Sequence, residues 1–581
     1  MSKRKQRILD GTLIVLGLFA LVTIITRYQM PFRLDDVLYM QWAQHHSIWD
    51  AFHIQRGEIF MSVRPVISIT FWLLTHYAGT EHYWIWHFVL AGSFLTAIGF
   101  TGLTARYISQ RSSALYVSSV WYWLAFLPIL NILFWYADIT FALEMMFCSM
   151  AWYFGLRALI EYRIRFWIIA NIVGILAAMT KEPSLLLIHG VFIGTIILKR
   201  KEFFPRWKLL PSNIKAIWIL CYIAFLAVSL QLFFISQAKQ NRFFHLGSIS
   251  SEQLQFFVID RIRYYSEVLT SIPLALYLFI SAVGLIISSS TFQSSKIKVF
   301  LFLILTVIVW VAYKPLLIVL FLLVFIVAPL IGDNRNKKIS VLSLFGVIAS
   351  VNALVLLITV MLVKTQLAEL SFLLSILGAS GVSIVLSGVS DYISQSRSSL
   401  LRYTVIGGGV LAGCGLIVIS FPKLQAKEQL LRDVRSTRLN ANNAIQWMAR
   451  SLPQGANVAV TAPSLYGIGS ADDLTSKEDE YKLYAQYTFL QGFVFSYLDV
   501  LGRNDVRLAY LEDSIILPRV LDSCRSVGGH YLFLQTGLDI DRFHGAINHR
   551  TILNKRDSLL VTFSEDHHKG IGSELWLLRR E

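Results

Sequence analysis

Two adjacent aspartates, Asp35 and Asp36, stand about nine residues beyond the first apolar run, in Met30-Pro31-Phe32-Arg33-Leu34-Asp35-Asp36-Val37. A carboxylate just outside a membrane span stays wet at little cost. There it can take a proton from an attacking hydroxyl. Neighbouring side chains point in different directions. One acid would therefore act as general base or metal ligand while the other orients it. The plain alternative is a pair in the first turn of an interfacial helix, where aspartate is favoured.

Further residues have types suited to the same chemistry. Asp138 ends Asn131-Ile132-Leu133-Phe134-Trp135-Tyr136-Ala137-Asp138, and Glu144 lies six residues deeper in the following apolar run. Acids at such depth are expensive unless they face a cavity or a partner. Asp138 reads as a second catalytic acid or as a helix N-cap, and Glu144 as the partner of a buried Arg or Lys. Lys181 and Glu182 fill a tight joint, Thr180-Lys181-Glu182-Pro183, and Lys314 fills another, Tyr313-Lys314-Pro315. A lysine at headgroup depth supplies a point charge for a lipid phosphate, or else snorkels to the headgroups. His53, Arg56 and Arg64 share a loop with the aspartates and can bind phosphate or sugar hydroxyls.

The elements that must hold these residues are mostly apolar. The 581 residues are 55% hydrophobic and 15% charged, with a mean hydropathy of +0.58. That balance belongs to a polytopic α-helical membrane protein. About thirteen spans are predicted, near 10–27, 82–104, 113–131, 138–157, 166–180, 183–199, 216–236, 271–290, 298–313, 315–332, 340–362, 366–388 and 403–421. The first run has a basic start but no small-residue cleavage site after it, and reads as an uncleaved span.

Formal charge is +16. Most of the excess sits in every second loop, at Arg106 and Arg111, Arg157 to Arg165, Lys199 to Lys215, Lys296 and Lys298, Arg335 to Lys338, and Arg397 and Arg402. Such a bias places the N-terminus in the cytoplasm and accounts for the basic balance without nucleic acid. It puts the long loops 28–81 and 237–270 and the tail outside. Loop 28–81 interleaves apolar and polar residues as interfacial helices do.

Residues 1–421 thus form a transmembrane domain, and 422–581 an extracytoplasmic α/β domain. In the tail, helices are expected over 439–450 and 479–489. Strands are expected at 457–461, 506–511, 530–534, 559–563 and 573–578. Four cysteines, scattered through apolar runs and the tail, imply no disulfide framework.

With Arg33-Leu34-Asp35-Asp36 after the first span, Asp138 at the outer end of a later one, and Thr180-Lys181-Glu182-Pro183 between two spans, the chain resembles the GT-C fold glycosyltransferases. Within them it is similar to the polyprenyl-phosphate-sugar-dependent group of protein mannosyltransferases and the lipid A aminoarabinose transferase. The likeness covers about residues 1–421. It departs from the protein mannosyltransferases, which carry Asp-Glu where Asp35-Asp36 stands here, and it lacks the Trp-Trp-Asp run of oligosaccharyltransferases.

The resemblance implies an inverting glycosyltransferase of the plasma (inner) membrane. Its donor is a polyprenyl-phosphate sugar, its acceptor a hydroxyl of an envelope glycan, lipid or protein, and its surroundings the lipid bilayer. Asp35, Asp36 and Asp138 would be catalytic. Lys181, Glu182, Lys314, Arg56, Arg64 and His53 would bind substrate. A divalent cation, Mg or Mn, would fall to Asp36 and Asp138, though a phosphate leaving group does not require one. The alternatives are a lipid-linked sugar transporter or flippase and a non-catalytic envelope assembly protein. A transporter would show internal repeats and broken half-helices, and no clear repeat is present.

Overall fold

The computed structural model describes residues 3–27, 31–32, 34–52, 64–124, 136–181, 183–240, 292–313, 439–461, 493–510, 530–536, 556–566 and 571–578, together with scattered residues between 278 and 425. Its first helices are α1 (Lys3–Arg27), α2 (Leu34–His45), α3 (Pro65–Tyr77), α4 (Tyr83–Ser109) and α5 (Ser113–Leu124). Then come α6 (Ile139–Glu161), α7 (Ile164–Ala178), α8 (Pro183–Leu198), α9 (Arg200–Leu209), α10 (Ser212–Gln240) and α11 (Phe292–Tyr313). Short 3-10 turns lie at Ile48–Phe52 and Tyr136–Asp138.

Tyr83–Ser109, Tyr136–Glu161 and Ser212–Leu232 are long and apolar enough to cross a membrane by length and composition. Ile8–Thr23, Ile164–Ala178 and Leu187–Ile197 are shorter apolar helices. α1 and α11 leave large apolar side chains such as Phe19 and Val311 uncovered, a surface that suits lipid better than water.

Several expected spans match helices closely: 82–104 falls within α4, 138–157 within the turn at 136 and α6, and 183–199 on α8. The expected span at 340–362 lies outside the described residues, as do most of 271–290, 315–332 and 403–421 and just over half of 366–388. So does nearly all of loop 237–270. The basic segment after α8, read from sequence as a plain loop, is instead helix α9. It is held down by Phe203, which is buried between Tyr162 and Trp207 at ring distances of 5.7 and 5.6 Å.

The helical core is built around α4, α6 and α7. Helices that approach closely need small residues at the contact. Gly155 of α6 faces the ring of Phe192 on α8, and a Cβ on Gly174 of α7 would stand 2.9 Å from Phe225 of α10. Two indole N–H groups close the same interfaces. Trp152 donates to the Leu187 carbonyl at 3.2 Å, and Trp167 to that of Trp218 at 2.9 Å. Both acceptors are helix carbonyls, so the bonds fix rotation and depth as well as distance.

Within 28–81, the described residues form two helices, α2 and α3, and a short 3-10 turn. α2 buries Val37, Met40 and Ala43, and α3 buries Ile67, Phe71 and Leu74. Pro65 opens α3, where its missing N–H costs nothing.

In the tail, helices 439–451 and 493–500 accompany a five-stranded sheet. Its strands are β1 (Asn457–Thr461), β2 (Arg507–Tyr510), β3 (His530–Thr536), β4 (Ser558–Asp566) and β5 (Ile571–Leu578), in the order β2-β1-β3-β5-β4. β1 pairs parallel with β2 and β3, while β5 runs antiparallel to β3 and β4. All five expected strands are present. The helix expected over 479–489 lies outside the described residues, and helix 493–500 was not anticipated.

Candidate active site

The site is assembled on an aromatic floor. Phe32, fully buried, lies with its ring 4.9 Å from Tyr83, 5.2 Å from Trp86 and 5.2 Å from Tyr136. This cluster joins the entry to α2, the start of α4 and the turn before α6. The Tyr136 hydroxyl is 2.7 Å from Nδ1 of His87, and Trp86 donates to the Gly79 carbonyl at 3.1 Å. Rigid rings with satisfied polar ends make a platform that holds neighbouring backbone in one place.

Beside this cluster, one expected acid meets the backbone of the turn that carries another. Asp36 is fully buried in the first turn of α2, and its Oδ1 accepts a 2.6 Å hydrogen bond from the amide of Ala137. The next residue is Asp138, also buried. Asp138 occupies the N-cap position of α6 but makes no side-chain cap bond, so capping does not account for its carboxylate. Asp35 lies in the same turn of α2 as Asp36.

Deeper along α6 lies the cation. Lys181 Nζ is 3.7 Å from Glu144 Oε2 and 3.3 Å from the centre of the Phe141 ring. Lys181 and Glu144 are both buried. The structure thus gives Glu144 the lysine that its depth calls for, and a long contact of this kind is charge compensation rather than a hydrogen bond. Asp138, Phe141 and Glu144 succeed one another every three residues on α6. The lysine therefore lies against the first two turns of α6, the helix that Asp138 precedes. The salt bridge and the ring hold the ammonium inside the fold.

The joint that carries Lys181 is tied down by its own backbone. The Lys181 amide donates to the Ala177 carbonyl at 3.1 Å, and the Ser184 hydroxyl donates to the Lys181 carbonyl at 2.6 Å. The amide of Val66 donates to the Met179 carbonyl at 3.2 Å. This bond docks the start of α3, with Arg64 at its N-cap, onto the same joint.

Of the substrate-binding candidates, Lys181 pairs with Glu144 of α6, and Arg64 is the N-cap of α3, whose start is bonded to the joint before Lys181. His53, Arg56, Glu182 and Lys314 lie outside the described residues. Asp36 and Asp138 are the two carboxylates that could meet a divalent cation. Among the described residues no group of three or more His, Cys, Asp or Glu side chains converges.

Reading from sequence missed several residues around the site. His87 and Tyr136 carry no motif, although a tyrosine two residues before a candidate acid is a usable signal. Asp499, Asn442 and the α2 residues Gln41 and Gln44 were also missed, since they meet only across the fold. Gln41 Nε2 donates to Asp499 Oδ2 at 2.6 Å, His45 Nε2 lies 2.9 Å from the same oxygen, and Gln44 Nε2 donates to the Val500 carbonyl at 2.6 Å. Asn442 Nδ2 donates to the Phe32 carbonyl at 3.2 Å. Tyr497 pairs with the Tyr83 phenol and with Gln446. Its complete burial raises its phenol well above the usual range, so it serves as a neutral partner.

The described residues thus define a helical protein with membrane-length apolar helices and buried acids and a lysine, in which residues of the segment 439–500 contact Phe32 and α2. No family model matches the sequence, and no curated protein matches it. Among solved structures the chain is similar to ArnT from Cupriavidus metallidurans bound to undecaprenyl phosphate, at 11% identity, 97% coverage of each chain and a TM-score of 0.39. It is also similar to the apo state of that protein, at 11% identity, 98% coverage of each chain and a TM-score of 0.37.

Proposed function

We propose that the chain is an inverting membrane glycosyltransferase that moves a sugar from a polyprenyl-phosphate carrier to a hydroxyl of an envelope acceptor. The observation that carries this reading is the buried Asp36 on the amide of Ala137, next to the buried Asp138, together with the buried Lys181–Glu144 pair on the helix that follows. Carboxylates for an acceptor proton and a cation for a departing phosphate are thus supplied by different elements around α6.

In the reaction the acceptor oxygen attacks that carbon from the face opposite the phosphate. The new carbon–oxygen bond forms as the carbon–phosphate oxygen bond breaks. The acceptor proton passes to a carboxylate, for which Asp36 is the choice. The Ala137 amide holds Oδ1 and so sets the plane in which the other oxygen faces a substrate. Polyprenyl phosphate leaves with the bonding electrons as an anion and needs positive charge rather than a proton. Lys181 has three donors, so it can serve a phosphate oxygen while keeping Glu144 as its counter-charge. Arg64 enters from the docked start of α3. If a divalent cation takes part, Asp36 and Asp138 hold it and it adds charge stabilisation for the phosphate. Topology is part of the proposal: N-terminus inside, with loop 28–81 and the tail outside.

The test compares lipid-linked sugars and envelope glycans with and without the protein. The expected result is one sugar missing from the envelope and its polyprenyl-phosphate form accumulating. Membranes carrying Asp36→Asn should reproduce that pattern. An unchanged set of glycans and carriers in both cases would rule the transferase out.

A further inference from the structure

The α/β tail touches the aspartate-bearing helix at both ends. At its entry, Asn442 of helix 439–451 donates to the Phe32 carbonyl, four residues before Asp36, and the Phe32 ring stands 6.4 Å edge-on to that of Tyr497. At its exit, the last turn of helix 493–500 receives three side chains from α2: Gln41 and His45 on one Asp499 oxygen, and Gln44 on the Val500 carbonyl. Gln41, Gln44 and His45 are spaced i, i+3, i+4 and share one face. Asp36, Met40 and Ala43 are spaced i, i+4, i+7 and share another, and all three are buried. The helix is therefore clamped between the tail on one flank and the 136–138 turn on the other. Asp499 is nearly buried at 11% exposure, so its accepting oxygen meets protein donors rather than bulk water.

We infer that the tail is part of the catalytic architecture, with Asp499 a positioning residue that sets the orientation of α2 and thereby the seat of the Asp36 carboxylate against Ala137. The inference rests on the transferase reading for its kinetic consequence but not for its structural one. A helix held at only one end can pivot, and a displacement of about 1 Å at a reacting group is enough to lower a rate about 100-fold. A tail that served only to recognise acceptor would have no need to grip the helix entry and exit.

The experiment uses the full chain in detergent or nanodiscs with Asp499→Ala, Asp499→Asn and Gln44→Ala. Hydrogen exchange is followed over α2 and at Ala137, whose amide reports the Asp36 contact directly. Asp499→Ala should speed exchange at Ala137 and over residues 37–45 by about 10-fold or more. Asp499→Asn keeps a side-chain oxygen for Gln41 and should stay near wild type. Gln44→Ala, on an exposed side chain, provides a milder loosening in a variant that will fold. In parallel, transfer is measured with radiolabelled hexose and pentose forms of polyprenyl phosphate. Asp499→Ala should lower kcat about 10- to 100-fold with donor KM within about twofold, and Asp499→Asn should restore most of it. Unchanged exchange at Ala137 in both Asp499→Ala and Gln44→Ala overturns the inference, as does a loss confined to KM. The exchange result stands even if no sugar in the panel is moved, so a failure of the clamp and a failure of the transferase reading are told apart.

Discussion

Lys181 Nζ stands 3.7 Å from Glu144 Oε2, with Glu144 fully buried and the lysine nearly so. Removing one member of a buried pair leaves the other charge uncompensated, a cost of roughly 3–5 kcal/mol, while removing both is often close to neutral. Glu144→Gln and Lys181→Met should each lower the unfolding midpoint in detergent clearly, and the double variant should regain most of the loss. A double variant as unstable as the sum of the singles would deny the coupling.

The same lysine should matter to the donor. A charge-assisted contact to phosphate is worth roughly 1.5–3 kcal/mol, about 10- to 150-fold in affinity. Lys181→Ala is expected to weaken binding of a polyprenyl phosphate by that factor and to leave acceptor preference alone. Titration of the lipid phosphate decides it. An unchanged affinity would return Lys181 to a purely structural role.

Asp36→Asn retains an oxygen for the Ala137 amide, so the fold should survive while the base is lost. Turnover should fall by roughly 10²–10⁴-fold, with Asp138→Asn the next most damaging change. Transfer from radiolabelled donor in membranes, normalised to inserted protein, measures both. Near-normal rates in the two variants would remove the acids from the chemistry.

Gly155 and Gly174 should tolerate no added carbon. The Phe192 and Phe225 rings already occupy the space a Cβ would take. Alanine at either position is expected to destabilise by about 1–3 kcal/mol through overpacking, read as a lower midpoint of thermal unfolding. Wild-type stability in Gly155→Ala would mean that α6 and α8 can part at no cost.

In the tail, the Arg503 guanidinium and then the Gly455 amide hold the Asp505 carboxyl down at about 2. A carboxyl depressed in the folded state contributes stability that is complete above its unfolded value of about 3.9. That contribution is lost as pH falls through about 4 toward 2. Local exchange at the β1–β2 end should therefore rise across that window in the wild type. In Asp505→Asn the carboxyl's contribution to that rise should be gone.

What the sequence determined by itself is local. Apolar run length is set by helix rise against bilayer thickness, and α4, α6 and α8 fall where the runs place them. Alternation and β-branched residues mark strands one at a time. The expected strand at 457–461 coincides with β1, and the other four overlap theirs. Candidate acids were legible for a similar reason: a carboxylate beside an apolar run stands out against the cost of burying it.

The meeting of elements was decided only in three dimensions. Asp36 and Ala137 are 101 residues apart, and Gln41 and Asp499 are 458 apart. No periodicity links them, because periodicity records which face of an element is buried and not what covers it. The contact of Asp36 with the Ala137 amide belongs to the same level. It took the packing of Phe32, Tyr83, Trp86 and Tyr136 to bring the α2 face bearing Asp36 against the turn that carries Asp138.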